Sequence, residues 1–213
     1  GNFIITEKSK DRTIIRLHNP SIRDFLRDYL ASHEQVLRAL VQTAKYFDQY
    51  MILWEFREEQ GELLKFRKTL IKYNAEFVRV LSSSINFRTC RLINYQESKG
   101  NIYKRVWDMS FEARATLVVS VAFELKTDLS MNLLKQVIDI INKRMIDNQA
   151  DHDDLVMFLK ELKKGERGVH GLSSTFLTNA KNYFITDIDA LDSIDRFWDF
   201  KDLFPETITN DVV

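Results

Sequence analysis

Apolar positions follow two different rhythms along this chain. Near the N-terminus, Phe3-Ile4-Ile5 and Thr13-Ile14-Ile15-Arg16-Leu17 are β-branched, apolar runs. The polar stretch Glu7-Lys8-Ser9-Lys10-Asp11-Arg12 joins them, which predicts a two-stranded hairpin of the wing type. Asn19-Pro20 ends this rhythm, because proline has no N–H to give to a strand ladder. Ser21, with Asp24 three residues later, is a capping pair for a helix start. Ile22, Phe25, Leu26, Tyr29 and Leu30 then recur at helical spacing and make one apolar stripe.

The helical rhythm continues for the rest of the chain. One periodic segment runs from about Glu34 through Leu37, Val41, Phe47 and Trp54 to a break near Gly61. A second runs from Leu63 through Leu70, Phe77 and Leu81 to Ser82-Ser83-Ser84, so the two predict an antiparallel helical hairpin. Arg88 to Tyr95 is expected as a short helix, followed by a loop on Lys99-Gly100-Asn101. Ser110 with Glu112 to Leu125, then Leu133 to Ile146 after Thr127-Asp128, predict a second helical pair. Its first member is apolar around most of its circumference and should be the most buried element. A short helix over Leu155 to Leu162 is closed by Lys163-Lys164-Gly165, the basic residues and glycine that suit a helix C-terminus. Further helices are expected over about Ser174 to Phe184, and from Thr186, capped with Asp189, to near Pro205. The expected fold is mainly α, an irregular multi-helix bundle or short α-solenoid with an N-terminal β-hairpin. Residues 1–33 would be the end of a winged-helix-like module and 34–213 a helical domain. No repeat of fixed period is visible, which disfavours a consensus repeat array.

Composition supports this reading. With 213 residues and 45% hydrophobic content the chain can bury a real core. Two prolines and six glycines are too few for the turns of a β-rich fold. Lys and Arg number 31, as do Asp and Glu, so no global field draws nucleic acid or an anionic membrane. The charge is nonetheless uneven: from Thr186 onward eight acidic residues face two basic ones, leaving that segment at −6 and the remainder at +6. No secretory leader or membrane span is readable, since the most apolar stretch, Ala113 to Leu125, contains Arg114 and Glu124 and is too short for a bilayer. The lone Cys90 excludes an intramolecular disulfide, and cytoplasmic residence is the expectation. Gly1 in place of an initiator Met is what a segment of a longer protein would show.

Candidate chemistry is sparse. Gly165-Glu166-Arg167-Gly168-Val169-His170-Gly171 lacks the Gly-Lys-Ser/Thr of a phosphate loop and follows no strand, so no nucleotide or other cofactor is expected in this segment. Asp151-His152-Asp153-Asp154 lacks the spaced ligands of a calcium loop and reads as acids at a helix N-terminus, so no metal is expected. Arg88 and Arg91 flank Cys90 without a nearby histidine, which points to a buried structural cysteine. Arg12, Arg16, His18, Arg23 and Arg27 form a basic set around the predicted wing. Solvated arginines or an intramolecular contact explain them better than DNA, because no recognition-helix module precedes them. Phe197-Trp198-Asp199-Phe200-Lys201-Asp202-Leu203-Phe204 is an aromatic-rich run, ordinarily core packing and alternatively a docking face. Arg12, Arg16, Arg23, Trp198 and Phe200 are thus the candidate interaction residues, with a protein or another domain as partner and neither nucleic acid nor membrane expected.

Two resemblances bear on function. Arg27-Asp28-Tyr29-Leu30-Ala31-Ser32-His33 resembles the Arg-x4-6-His motif of HEPN-family ribonucleases, which implies an alternative in which His33 acts on the RNA and Arg27 orients phosphate across a dimer cleft. The longer phrase Arg16-Leu17-His18-Asn19-Pro20-Ser21-Ile22-Arg23-Asp24-Phe25-Leu26-Arg27-Asp28-Tyr29-Leu30 resembles the junction after the NTPase core of bacterial STAND-type ATPases. There a winged-helix hairpin gives way to a helical region. This resemblance covers about thirty residues and implies a non-catalytic regulatory or sensor portion, with the nucleotide site upstream and a setting in antiphage defence or signalling. A generic helical scaffold is the remaining alternative.

Overall fold

The computed structural model describes residues 4–9, 12–17, 25–26, 28–30, 32–55, 64–86, 91–96, 102–165, 172–186 and 191–207. Within these, the side chains of 4–9, 12–17, 55, 64–67, 91–96, 102–107 and 191–193 lie outside the description. The described chain is mainly helical, and none of its helices is long and apolar enough to cross a membrane. It divides into two compact units, residues 1–44 with 49–77, and residues 45–48 with 78–213.

In the first unit the backbone of Ile4–Ser9 (β1) pairs antiparallel with Arg12–Leu17 (β2), Ile4 opposite Leu17 and Ser9 opposite Arg12. The capping pair Ser21 and Asp24 lies outside the described residues, and Phe25, Leu26 and Asp28 to Leu30 are helical. The long segment expected from Glu34 to Trp54 is two helices, Glu34–Thr43 (α1) and Phe47–Glu55 (α2). The chain leaves α1 at Ala44, which takes the extended ψ of 132°. Thr43 Oγ1 donates back to the Ala39 carbonyl at 2.8 Å, and the Tyr50 hydroxyl donates to the Ala44 carbonyl at 2.9 Å, fixing the corner without glycine or proline. The second segment is likewise split, at Tyr73, into Leu64–Lys72 (α3) and Asn74–Ser84 (α4), where Asn74 Nδ2 donates to the Ile71 carbonyl at 2.7 Å. The unit boundary after residue 77 falls within α4.

The expected antiparallel hairpin of two long helices is therefore corrected. Lys72 Nζ meets Glu34 at 2.6 Å and Arg38 Nε meets Glu76 at 2.8 Å, a constant offset of 38 residues, so α1 runs in the same sense as the α3 to α4 corner beside it. Tyr73 also donates its hydroxyl to Glu34, and Gln42 donates to Glu76. Beneath this polar seam, Leu37, Val41, Tyr50, Trp54, Leu70 and Phe77 are buried, with the Trp54 and Phe77 rings stacked at 5.6 Å.

In the second unit, Phe111–Leu125 (α5), Asp128–Ile146 (α6), His152–Lys164 (α7), Ser174–Thr186 (α8) and Leu191–Leu203 (α9) form the expected helices, followed by a single 3₁₀ turn at Pro205–Thr207. Ser110 caps α5 by accepting the Ala113 N–H at 3.0 Å. Thr127 and Ser130 exchange backbone bonds at the start of α6, a reciprocal capping box. Residues 187–190, including the expected cap partner Asp189, lie outside the described residues. The principal neighbours close a cycle, α5 on α6, α6 on α8, α8 on α9, α9 on α7 and α7 back on α5. As the sequence predicts, α5 is deeply buried: Ala115, Val118, Val119, Val121 and Ala122 are covered, and Leu117 nearly so.

The short helix expected over Arg88 to Tyr95 is also corrected. The backbone of Arg91–Gln96 (β3) pairs antiparallel with Ile102–Trp107 (β4), Leu92 opposite Val106 and Tyr95 opposite Tyr103. β4 is rich in the β-branched and aromatic residues that suit a pleated surface, Ile102, Tyr103, Val106 and Trp107, and it supplies the ladder that holds β3 as a strand. Residues 88–90, Cys90 among them, lie outside the description.

Candidate functional site

Of the candidate interaction residues, Arg12 and Arg16 are backbone members of β2 and Arg23 lies outside the described residues. Trp198 and Phe200 stand on opposite sides of α9. Phe200 is fully buried, its ring centroid 5.5 Å from those of Phe184 and Phe204. Its expected place on a docking face is thereby corrected: the position two residues from an exposed tryptophan on a helix turns inward. Trp198 is 49% exposed, with Lys201 Nζ 4.3 Å from its ring centroid.

Arg27 lies outside the described residues. His33, just before α1, stacks its ring on Tyr29 at 3.9 Å and donates from Nδ1 to the Tyr29 carbonyl at 2.7 Å. That bond fixes the tautomer and ties the ring to its own chain.

The most developed polar constellation sits where α5 begins, α6 ends and α7 begins. Glu112 is fully buried and accepts from Arg144 Nε at 2.7 Å, while Arg144 Nη2 donates to the Gln149 carbonyl at 2.6 Å. Two guanidinium groups, of Arg114 and Arg144, lie within 5.9 Å of the Phe111 ring. Ser110 Oγ donates to Asp154 at 2.6 Å, so the residue that caps α5 also grips the first turn of α7. Burial pushes the Asp154 carboxyl above its ordinary range; the Ser110 hydroxyl pulls it back, and the charges of Asp151, Glu112 and Asp153 add to the rise. Burial likewise lowers the Arg114 guanidinium, with Arg144 contributing in the same direction.

Sequence reading placed Asp151 to Asp154 correctly as helix-start acids. Asp151 accepts the Asp154 N–H at 3.0 Å, and Asp153 takes Arg196 Nε at 2.7 Å. It missed the Glu112–Arg144 pair, whose members are 32 residues apart. The available signal was Glu112, a charged residue at the start of the helix whose remaining sequence is the most apolar in the chain. Chemically, the cluster clamps three helix ends. No group of three or more metal-donor side chains occurs among the described residues.

Two surfaces complete the inventory. In the first unit Leu30, Leu40, Ala44, Ile52 and Leu53 line an open apolar groove of about 260 Å³, with Leu40 and Ile52 substantially exposed. In the second, Met145, Asn148, Asn179, Asn182 and Tyr183 line a cleft of about 440 Å³. Comparison with protein-family models, with curated proteins and with solved structures finds no match to this chain.

Proposed function

We propose that this chain is a non-catalytic helical regulatory and interaction module of a larger STAND-type NTPase, acting in bacterial defence or signalling. One observation carries the reading: Leu30, the last residue of the junction phrase, lines the apolar groove with Leu40 and Ile52. A segment that leaves an NTPase core at Arg16 would thus feed directly into a contact face. A nucleotide-driven movement of the core would pull on that segment and alter what the groove can hold. β1 and β2 would be the last strands of the winged-helix part, and the basic residues Arg12, Arg16 and Arg23 would face other domains of the parent chain. Of the two helical architectures expected, the closed cycle of neighbours in the second unit favours an irregular bundle over an open solenoid. The exposed Trp198 provides a second protein contact, since tryptophan is enriched where binding energy concentrates. Cytoplasmic residence belongs to the same reading.

The encoding gene tests this reading. A Gly-x4-Gly-Lys-Ser/Thr loop followed by an acidic strand, encoded upstream in the same frame, would support it. An initiator codon immediately before this segment would overturn it.

A further inference from the structure

We infer that the cleft between the end of α6 and α8 binds the main chain of an extended, uncharged peptide. Asn148, Asn179 and Asn182 line it together with Met145, Ile146 and Tyr183. A carboxamide carries the same carbonyl acceptor and N–H donor as a peptide unit, so amide side chains match polypeptide main chain group for group. Among the described residues the lining is uncharged, with neither Lys or Arg to balance a phosphate nor Asp or Glu to hold a cation, which favours a neutral ligand. Its volume of about 440 Å³ suits a few residues of extended chain.

The backbone beneath the amides is fixed, and one of the three amides with it. Asn148 has a φ of 53°, the left-handed position of a helix C-terminal motif. Gln149 N–H donates to the Arg144 carbonyl at 2.8 Å, and Asn148 N–H to that of Met145 at 3.1 Å. Asn179 Nδ2 donates to Asn142 Oδ1 at 2.9 Å, which fixes the plane of its amide. The Tyr183 hydroxyl is committed to the Ala150 carbonyl, so its ring serves as a wall. The side-chain amides of Asn148 and Asn182 make no hydrogen bond among the described residues and stand exposed. Ile146, 64% exposed beside them, offers an apolar seat for one side chain of the ligand.

The test follows the side-chain amide signals of ¹⁵N-labelled protein during titration with the blocked peptide acetyl-Thr-Val-Thr-Leu-Thr-amide. Saturable movement of the Asn148 and Asn182 signals is expected, with about tenfold weaker binding when the two central peptide nitrogens are methylated. Asn148→Gly keeps the left-handed backbone and Asn182→Ala alters an exposed position. Each should weaken the peptide severalfold without changing the melting curve. Absence of saturable movement at millimolar peptide, or equal binding of the methylated peptide, overturns the proposal. Movement caused by uridine or methyl glucoside but not by the peptide overturns it in favour of a nucleoside or sugar site. None of these outcomes depends on what is encoded upstream, so this inference and the STAND reading fail separately.

Discussion

Glu112, fully buried in the first turn of α5, takes its counter-charge from Arg144 in the last turn of α6, Nε to Oε1 at 2.7 Å. That guanidinium is the hydrogen-bonded partner that compensates a carboxylate so enclosed. Arg144→Ala should therefore cost about 3 to 5 kcal/mol in denaturant unfolding, the range for leaving a buried charge uncompensated. The double variant Glu112→Met, Arg144→Met should lose less than Arg144→Ala alone. A double variant whose loss equals the sum of those of Glu112→Met alone and Arg144→Met alone would show that the pair is not coupled.

Asp154 gives a pH dependence of definite sign. Its carboxyl is raised above the unfolded value, chiefly by burial, so the folded state holds the proton more tightly. Its contribution to stability is then fullest below the unfolded pKa and is lost as pH rises through the folded one. At neutral pH the charged group is a liability. Asp154→Asn retains an oxygen to accept the Ser110 hydroxyl and should raise the melting temperature near pH 7, with the advantage vanishing below about pH 3. A neutral-pH loss of stability would mean that the Ser110 bond outweighs burial.

What the sequence disclosed and what it concealed divide along physical lines. The burial of α5 was legible because Leu117, Val118, Val119, Val121 and Ala122 leave almost no polar face, and its start because Ser110 is a strong cap. The corners at Ala44 and Tyr73 were not legible. They contain no glycine or proline, and the bonds that make them, such as Tyr50 to Ala44, form only once the helices have turned. β3 was misread because Arg91 to Gln96 is a short run in which polar and apolar residues mix, so neither period stands out, and the ladder partner that decides the matter begins only at Ile102. The Glu112–Arg144 pair shares no local pattern at all. The amide cleft was equally hidden, since its asparagines come from the turn after α6 and from α8 and look individually like ordinary surface residues.

Gly165, at the C-terminal cap of α7, has an ordinary negative φ, so left-handed backbone does not explain it. Space does: a Cβ there would collide with the ring of Phe123 on α5. Gly165→Ala should cost about 1 to 3 kcal/mol, as for other overpacked contacts. Because the obstacle is one side chain, Phe123→Leu in the same protein should recover part of that loss. If Gly165→Ala alone melts like the parent, the ring swings aside freely and the glycine is dispensable.

Trp198 and Phe200 separate contact from stability within one helix. Phe200 packs between Phe184 and Phe204 with no exposure, so Phe200→Ala should lose about 3 to 5 kcal/mol in unfolding measurements. Trp198 is half exposed, with the Lys201 ammonium over its ring, an arrangement of small energetic value to the fold. Trp198→Ala should therefore stay within about 0.5 kcal/mol of the parent, as surface substitutions generally do. On the reading proposed above, the same substitution should weaken association of the parent chain with a protein partner, measured as a loss of co-elution or a higher Kd. A Trp198→Ala protein that unfolds as readily as Phe200→Ala would place the tryptophan in the core and overturn the proposed contact on α9.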